Sequence, residues 1–301
     1  MMKTTFVKPK SIAIAFSCSV SVVLGVLGNP AWAGDPFRQS DPRPIGDNTE
    51  AAFEAVFIDG NYPQAEAYLN DALLSEADDP LVYAMQASLA YSNQDWDAIG
   101  PAAEKTLAAA ENLLPQDALR GNLYLAVGHF IDGTYIMKKQ GPVGALPKLQ
   151  KVLEYLDAAE KVDASDPELN LFKGFMELIL AVNLPLASPE QAIANFQQNA
   201  APPYLVNRGI AVAYRDLKKY DKGLEFVNKA LELAPDNPEL HYLKAQLLYQ
   251  LGKENGNAAL VTEAIALFES VLAQQDQLPQ YLRNPVEYER GVAQNWLDEN
   301  G

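Results

Sequence analysis

Lys219-Tyr220-Asp221-Lys222-Gly223-Leu224-Glu225-Phe226-Val227-Asn228-Lys229-Ala230-Leu231-Glu232-Leu233-Ala234-Pro235 is the stretch whose reading decides the fold. Its small residues Gly223 and Ala230, with Val227 between them, fall at helical steps on one face. An aromatic residue opens the segment, and a proline, which cannot continue a helix, closes it. The same order recurs earlier in the chain. Asn61-Tyr62 and Asp95-Trp96 place an aromatic residue 34 positions apart, Ala72 recurs as Thr106, and Phe53 recurs as Ala87. A fixed period of this size marks an array of small repeated units.

The ordered set resembles the tetratricopeptide repeat, a helix–turn–helix unit of 34 residues. The first unit, Gly46–Asp79, supplies Phe53, Gly60, Tyr62, Ala65, Leu69 and Ala72 at the signature places. The second, Pro80–Asn112, supplies Ala87, Trp96, Ile99, Ala103 and Thr106, and the fifth, Tyr204–Asn237, matches best with Ala211, Tyr214, Tyr220, Gly223, Val227, Ala230 and Pro235. The fourth starts at Pro167 with a six-residue excess around Pro185–Pro189. The sixth starts at Pro238 and carries an insertion at Lys253–Asn257, which restarts its second helix near Val261. The third, roughly Pro115–Asp166, is too long for its register to be fixed by spacing. The resemblance implies an all-α, right-handed superhelical solenoid of about six such units over residues 46–275, closed by a capping helix and tail over 276–301.

Local chemistry supports the same division. Asp79-Pro80, Asp166-Pro167 and Ser188-Pro189 each set a capping oxygen before a proline, which starts a helix without losing a hydrogen bond. Ala211 and Gly174 are small enough for helices to approach closely. No single hairpin can hide its apolar face, so the units must stack.

The first thirty-three residues read as an export signal. Lys3, Lys8 and Lys10 precede an apolar run from Ile12 to Leu27, and Ala31-Trp32-Ala33 follows a helix-breaking Gly28-Asn29-Pro30. An uncleaved anchor is the rival reading, because the run reaches the lower edge of spanning length. Cys18 lies inside that run and is a poor lipid-attachment cysteine. Cleavage after Ala33 would leave no cysteine and would deepen the formal charge from −16 to −19, since the leader holds three lysines and no carboxylate. Residues 34–45, with three prolines, read as an extended arm or a mobile linker. The opening Gly34–Asp47, taken with the Ala-Trp-Ala ending, is similar to exported cyanobacterial tetratricopeptide proteins, which implies the periplasm or the thylakoid lumen.

Composition narrows the chemistry. With 23 Lys and Arg against 39 Asp and Glu, the chain is not a general phosphate-backbone binder. One cysteine and two histidines leave no set for a Cys/His zinc site. No Gly-x-Ser-x-Gly, phosphate loop, dinucleotide fingerprint or His-Glu-x-x-His is found. His129 and His241 stand on different units, and Asp78-Asp79 and Asp236-Asn237 sit at turns where helix capping explains them. The expectation is a protein without catalytic residues, cofactor or metal.

What remains is surface. In tetratricopeptide arrays the first helix of each unit lines a concave groove, and the resemblance assigns to it Glu50, Glu54, Phe57, Ser88, Tyr91, Arg208, Arg215, Glu239, Tyr242, Gln246 and Tyr249. Tyrosine and arginine anchor interfaces through large contact area and directed hydrogen bonds. The fifth positions, Glu50, Ala84, Leu171, Arg208 and Tyr242, hold one basic residue, so the carboxylate clamp of chaperone cofactors is not present. An acidic field favours a protein or peptide with a basic or mixed-charge surface. A small ligand or glycan stacked on the tyrosines is the alternative. Lys138 and Lys139, with Lys148 and Lys151, form a local basic segment at the end of a long helix expected over Gln116–Lys139, a possible second contact with protein or anionic lipid.

Overall fold

The computed structural model describes residues 34–183 and 188–301, with backbone alone at 182 and 183. The expected export signal lies outside the described residues. The described residues belong to one compact unit, all-helical, with no strand among them. Six hairpins follow one another: α1 (Asp47–Phe57) with α2 (Tyr62–Ser75), α3 (Pro80–Ser92) with α4 (Trp96–Leu113), and α5 (Ala118–Gln140) with α6 (Pro142–Asp163). Next come α7 (Pro167–Asn183) with α8 (Pro189–Gln197), α9 (Pro203–Asp216) with α10 (Tyr220–Leu233), and α11 (Pro238–Asn255) with α12 (Ala258–Ala273), before the final α13 (Gln280–Asn300).

The helices start where their capping chemistry dictates. Asp79 accepts from the Leu81 N–H, Asp166 from Leu169, Ser188 from Gln191, and Asn237 from both Glu239 and Leu240. Each such cap stabilises its helix by about 1 kcal/mol. α1 has no such cap, because Gly46 has no side chain to offer. Glu76, at the end of α2, reaches back and accepts from the N–H groups of Asn48 and Thr49 and from the Thr49 hydroxyl.

Packing follows the order of the chain. Each hairpin's two helices pack together, and its second helix meets the first helix of the next hairpin. First helices also touch one another, α1 on α3, α3 on α5, α7 on α9 and α9 on α11, which makes them the inner layer. Close approach uses two glycines, Gly174 at the small position of the repeat and Gly209 away from it. A Cβ on Gly174 would stand 2.5 Å from the Phe196 ring, and one on Gly209 would stand 2.3 Å from it. Phe196 is 1% exposed, held between α7 and α9 by those two bare backbones.

Two element details differ from the spacing. The sixth-unit insertion lengthens α11 to 18 residues instead of forming a loop, and α12 starts at Ala258, ahead of Val261. In the third unit both helices are long, 23 and 22 residues, so α5 spans about 34 Å.

The array also meets itself. The α1–α2 turn lies against the start of α11: Asn237 Nδ2 donates to the Phe57 carbonyl at 3.1 Å, and Gly60 sits on Pro238, where a Cβ would come within 2.6 Å. The Tyr62 N–H donates to the Gln277 carbonyl, between α12 and α13, at 3.0 Å.

Candidate functional site

Two polar networks organise the inner layer, and both are built on a repeated tetrapeptide. Asn237-Pro238-Glu239-Leu240 opens α11, and Asp166-Pro167-Glu168-Leu169 opens α7. In each, the glutamate occupies the first turn, where the helix dipole favours a carboxylate. Glu239 accepts from the Tyr62 hydroxyl at 2.5 Å and pairs with Arg208 of α9. Glu168 accepts from the Tyr124 hydroxyl at 2.5 Å and pairs with Arg38 at 2.8 Å. A tyrosine and an arginine from other elements thus converge on one buried carboxylate at two places in the array.

Around Glu239 the charges set the protonation states. Burial, then the Glu239 charge, raises the Tyr62 and Tyr281 phenols well above the ordinary tyrosine range. Burial alone would lower the Arg208 guanidinium, but Glu239 outweighs it and holds it raised. Tyr91 is half exposed and set edge-on to Trp96 at 5.5 Å. Nearby on α1, burial and then the Glu50 and Asp59 charges raise Glu54. Its charge in turn adds to the burial that raises Tyr204 at the start of α9.

A second group lies on α9, α11 and α13. Arg215 donates to Gln246 at 2.9 Å, while Gln246 and the Tyr242 hydroxyl each donate to Glu289 at 2.9 Å. Tyr242 and Tyr249 are only 8% and 7% exposed, and the Tyr242 ring packs on Phe268.

The groove residues therefore divide. Arg208, Tyr242 and Tyr249 are turned to internal contacts, and Phe57 packs on Phe53 while its carbonyl holds Asn237. Tyr91, Glu54, Glu50, Arg215 and Gln246 keep surface to offer. Tyr62, Tyr281, Glu289 and Glu168 join these networks although the groove positions of the repeat do not mark them. The shared Pro-Glu-Leu was the signal available for Glu168 and Glu239; nothing local marked Tyr281.

The basic segment is neutralised within the chain. Lys139 pairs with Asp97 at 3.0 Å, Lys148 with Asp132, and Lys151 with Glu154, and Lys138 lies over the Trp96 ring at 4.6 Å. Both histidines are engaged as well. His129 stacks on Tyr155, and a ring nitrogen of His241 is 2.7 Å from the Pro235 carbonyl.

The arm at 34–45 is tied down. Asp35 accepts from the N–H groups of Phe37, Arg38 and Arg43 and folds the segment into a turn. Phe37 meets Phe53 edge-on at 5.1 Å. Arg38 holds Asp166 and Glu168, and Arg43 holds Asp117. A cleft of about 1240 Å³ lies beside the arm at the ends of α3, α5, α7 and α9.

No group of three or more His, Cys, Asp or Glu side chains that could hold a metal is found among the described residues. No described helix is long and apolar enough to cross a membrane. Neither a protein-family model nor a curated protein matches this chain.

Proposed function

We propose that this chain is a non-catalytic scaffold or assembly factor that binds a protein or peptide on the inner layer of its helical array. The observation that carries this reading is the set of part-exposed Glu54, Tyr91, Arg215 and Gln246 on the first helices α1, α3, α9 and α11, with a buried Tyr62–Glu239–Arg208 network joining the first and sixth hairpins. A surface of aromatic and charged groups on rigid helices suits recognition, because little side-chain entropy is lost on binding. The acidic balance of the chain favours a basic or mixed-charge partner. Its leader-like first thirty-three residues support export, to a periplasm or a thylakoid lumen.

The test is affinity purification of the tagged chain from its own compartment, followed by titration of the recovered protein against Tyr91→Ala and Arg215→Ala. The reading expects at least one variant to weaken binding about tenfold, as interface anchors do. Recovery of no protein above background, or unchanged affinity in both variants, would overturn it. The gathering of Tyr62 and Tyr281 around Arg208 favours a second reading, a small ligand or glycan stacked on the tyrosines. A thermal-shift screen separates the two, since a small ligand raises the melting temperature by mass action.

A further inference from the structure

Arg38 stands where the arm meets the inner layer, and every nitrogen of its guanidinium is engaged. Nε and Nη2 donate to the two oxygens of Asp166 at 2.8 and 3.0 Å, Nη2 also to Glu168 at 2.8 Å, and Nη1 to Asp35 at 3.2 Å. The planar guanidinium fits such a two-point grip, and a lysine ammonium does not. Asp166 is the N-cap of α7, and α3 shows a related pairing, since its N-cap Asp79 is held by Arg120 at 3.1 Å. Arg120 is the third residue of the next first helix, α5. The third residue of α9 is Leu205, which is apolar and buried. The arm therefore brings to α7 a guanidinium that the array itself does not supply.

The pocket is short of cations. Asp35, Asp166 and Glu168 are buried, Asp79 nearly so, and these four carboxylates share the guanidiniums of Arg38 and Arg120. Burial holds Asp79 and Asp166 above the ordinary aspartate value even so. Undocking the arm leaves Asp79, Asp166 and Glu168 with Arg120 alone. Buried carboxylates without a counter-charge are strongly unfavourable, so another cation must enter when the arm leaves. Residues 34–45 form a closed loop, in which a Cβ on Gly34 would stand 2.3 Å from the Ile45 carbonyl oxygen. Among the described residues no backbone hydrogen bond joins this loop to a helix, so it can leave without breaking a helix ladder. Arg38, Asp79 and Asp166 line the cleft beside it, through which a second chain reaches the pocket.

We propose that Asp166 and Glu168 form an arginine receptor, which Arg38 fills within the chain and an arginine of a protein partner takes in its place. The partner rests on the scaffold reading, and the pocket gives it a chemistry, an exposed arginine rather than positive charge alone. Arm and partner then exclude one another at this pocket, which makes the docked arm an autoinhibitory contact. A tethered occupant acts at an effective concentration of about millimolar. A lone arginine therefore does not displace the arm, and a partner does so only with further contacts on the array.

Arg38→Ala in the full chain empties the pocket, and acetyl-argininamide is then titrated to about 100 mM while thermal unfolding is followed. The melting temperature of the variant is expected to rise saturably, with hydrogen-exchange protection returning at residues 166–169. The unsubstituted chain is expected not to respond, and acetyl-lysinamide at equal ionic strength to give a smaller rise. No rise in Arg38→Ala, an equal rise in both proteins, or an equal rise with both amides overturns the proposal. Where Arg38→Ala does not fold, Phe37→Ala loosens the arm and leaves the pocket intact. Acetyl-argininamide is then expected to quicken hydrogen exchange across residues 34–45, and unchanged exchange overturns the proposal equally. A partner recovered by affinity purification is expected to quicken exchange over the same residues. A partner that binds with the arm still protected overturns this proposal and leaves the scaffold reading standing. Recovery of no partner overturns the scaffold reading, while the amide titration still decides the pocket.

Discussion

Glu76 acts at the scale of one side chain. It replaces the N-cap that Gly46 cannot supply, and it does so from the end of α2. Burial alone would raise its carboxyl, but hydrogen bonds from Thr49 and Asn48 outweigh burial and hold it below the ordinary glutamate value. A carboxylate lowered in the folded state contributes stability that is complete above the unfolded value and is lost as pH falls through the folded one. The contribution of Glu76 therefore disappears below about pH 4.5. Glu76→Gln is expected to cost about 0.5–1 kcal/mol at neutral pH and to flatten the acid limb, which urea unfolding between pH 3 and 7 reads directly. Equal acid limbs in the two proteins would mean that another carboxylate governs that range.

At the scale of the element, the interlock of α7, α8 and α9 depends on what is missing from two backbones. Gly209→Ala drives a Cβ into the Phe196 ring, an overpacking that costs about 1–3 kcal/mol. Phe196→Leu in the same chain is expected to return part of that loss, because the ring is the obstacle. A double-mutant cycle from thermal unfolding checks the coupling, and simple additivity would place the strain elsewhere. Elements of this kind were largely legible in the sequence. The Asp79-Pro80, Asp166-Pro167 and Ser188-Pro189 steps marked helix starts because capping is a local event, and Gly174 marked a crossing because the period put it there. The extra residues at Lys253–Asn257 were read only as an insertion, since spacing counts residues without saying whether a helix absorbs them; α11 takes in the first three. The long α5 was read nearly at its bounds, over Gln116–Lys139, whereas the long α6 showed only as excess length in the third unit.

At the scale of the whole molecule, the decisive contacts join residues far apart in the chain. Tyr62 reaches Glu239 and Gln277, and Asn237 reaches Phe57, across the first and sixth hairpins. No period predicts such a meeting. It follows from how far each unit turns relative to the last, a small angle summed over the array, and single positions do not encode that sum. Arg208 was accordingly read as a groove residue from its place in the repeat, while its partner Glu239 and the Tyr62 that shares it were brought together only by the turn of the array. Tyr62→Phe removes the hydroxyl that Glu239 accepts and is expected to cost about 1–2 kcal/mol. Hydrogen exchange should then quicken at 58–62 and at 237–240 together. Faster exchange at the first site alone would show that the two hairpins are not coupled.

The meeting of the first and sixth hairpins also changes how the array comes apart. Stacked repeats are held by nearest neighbours, so an open row loosens most cheaply from its terminal units, where one neighbour is missing. Here the terminal hairpins have each other. Fraying from the first hairpin must break its seam with α11 before anything is gained, so the ends lose the advantage that a free terminal unit has in opening first.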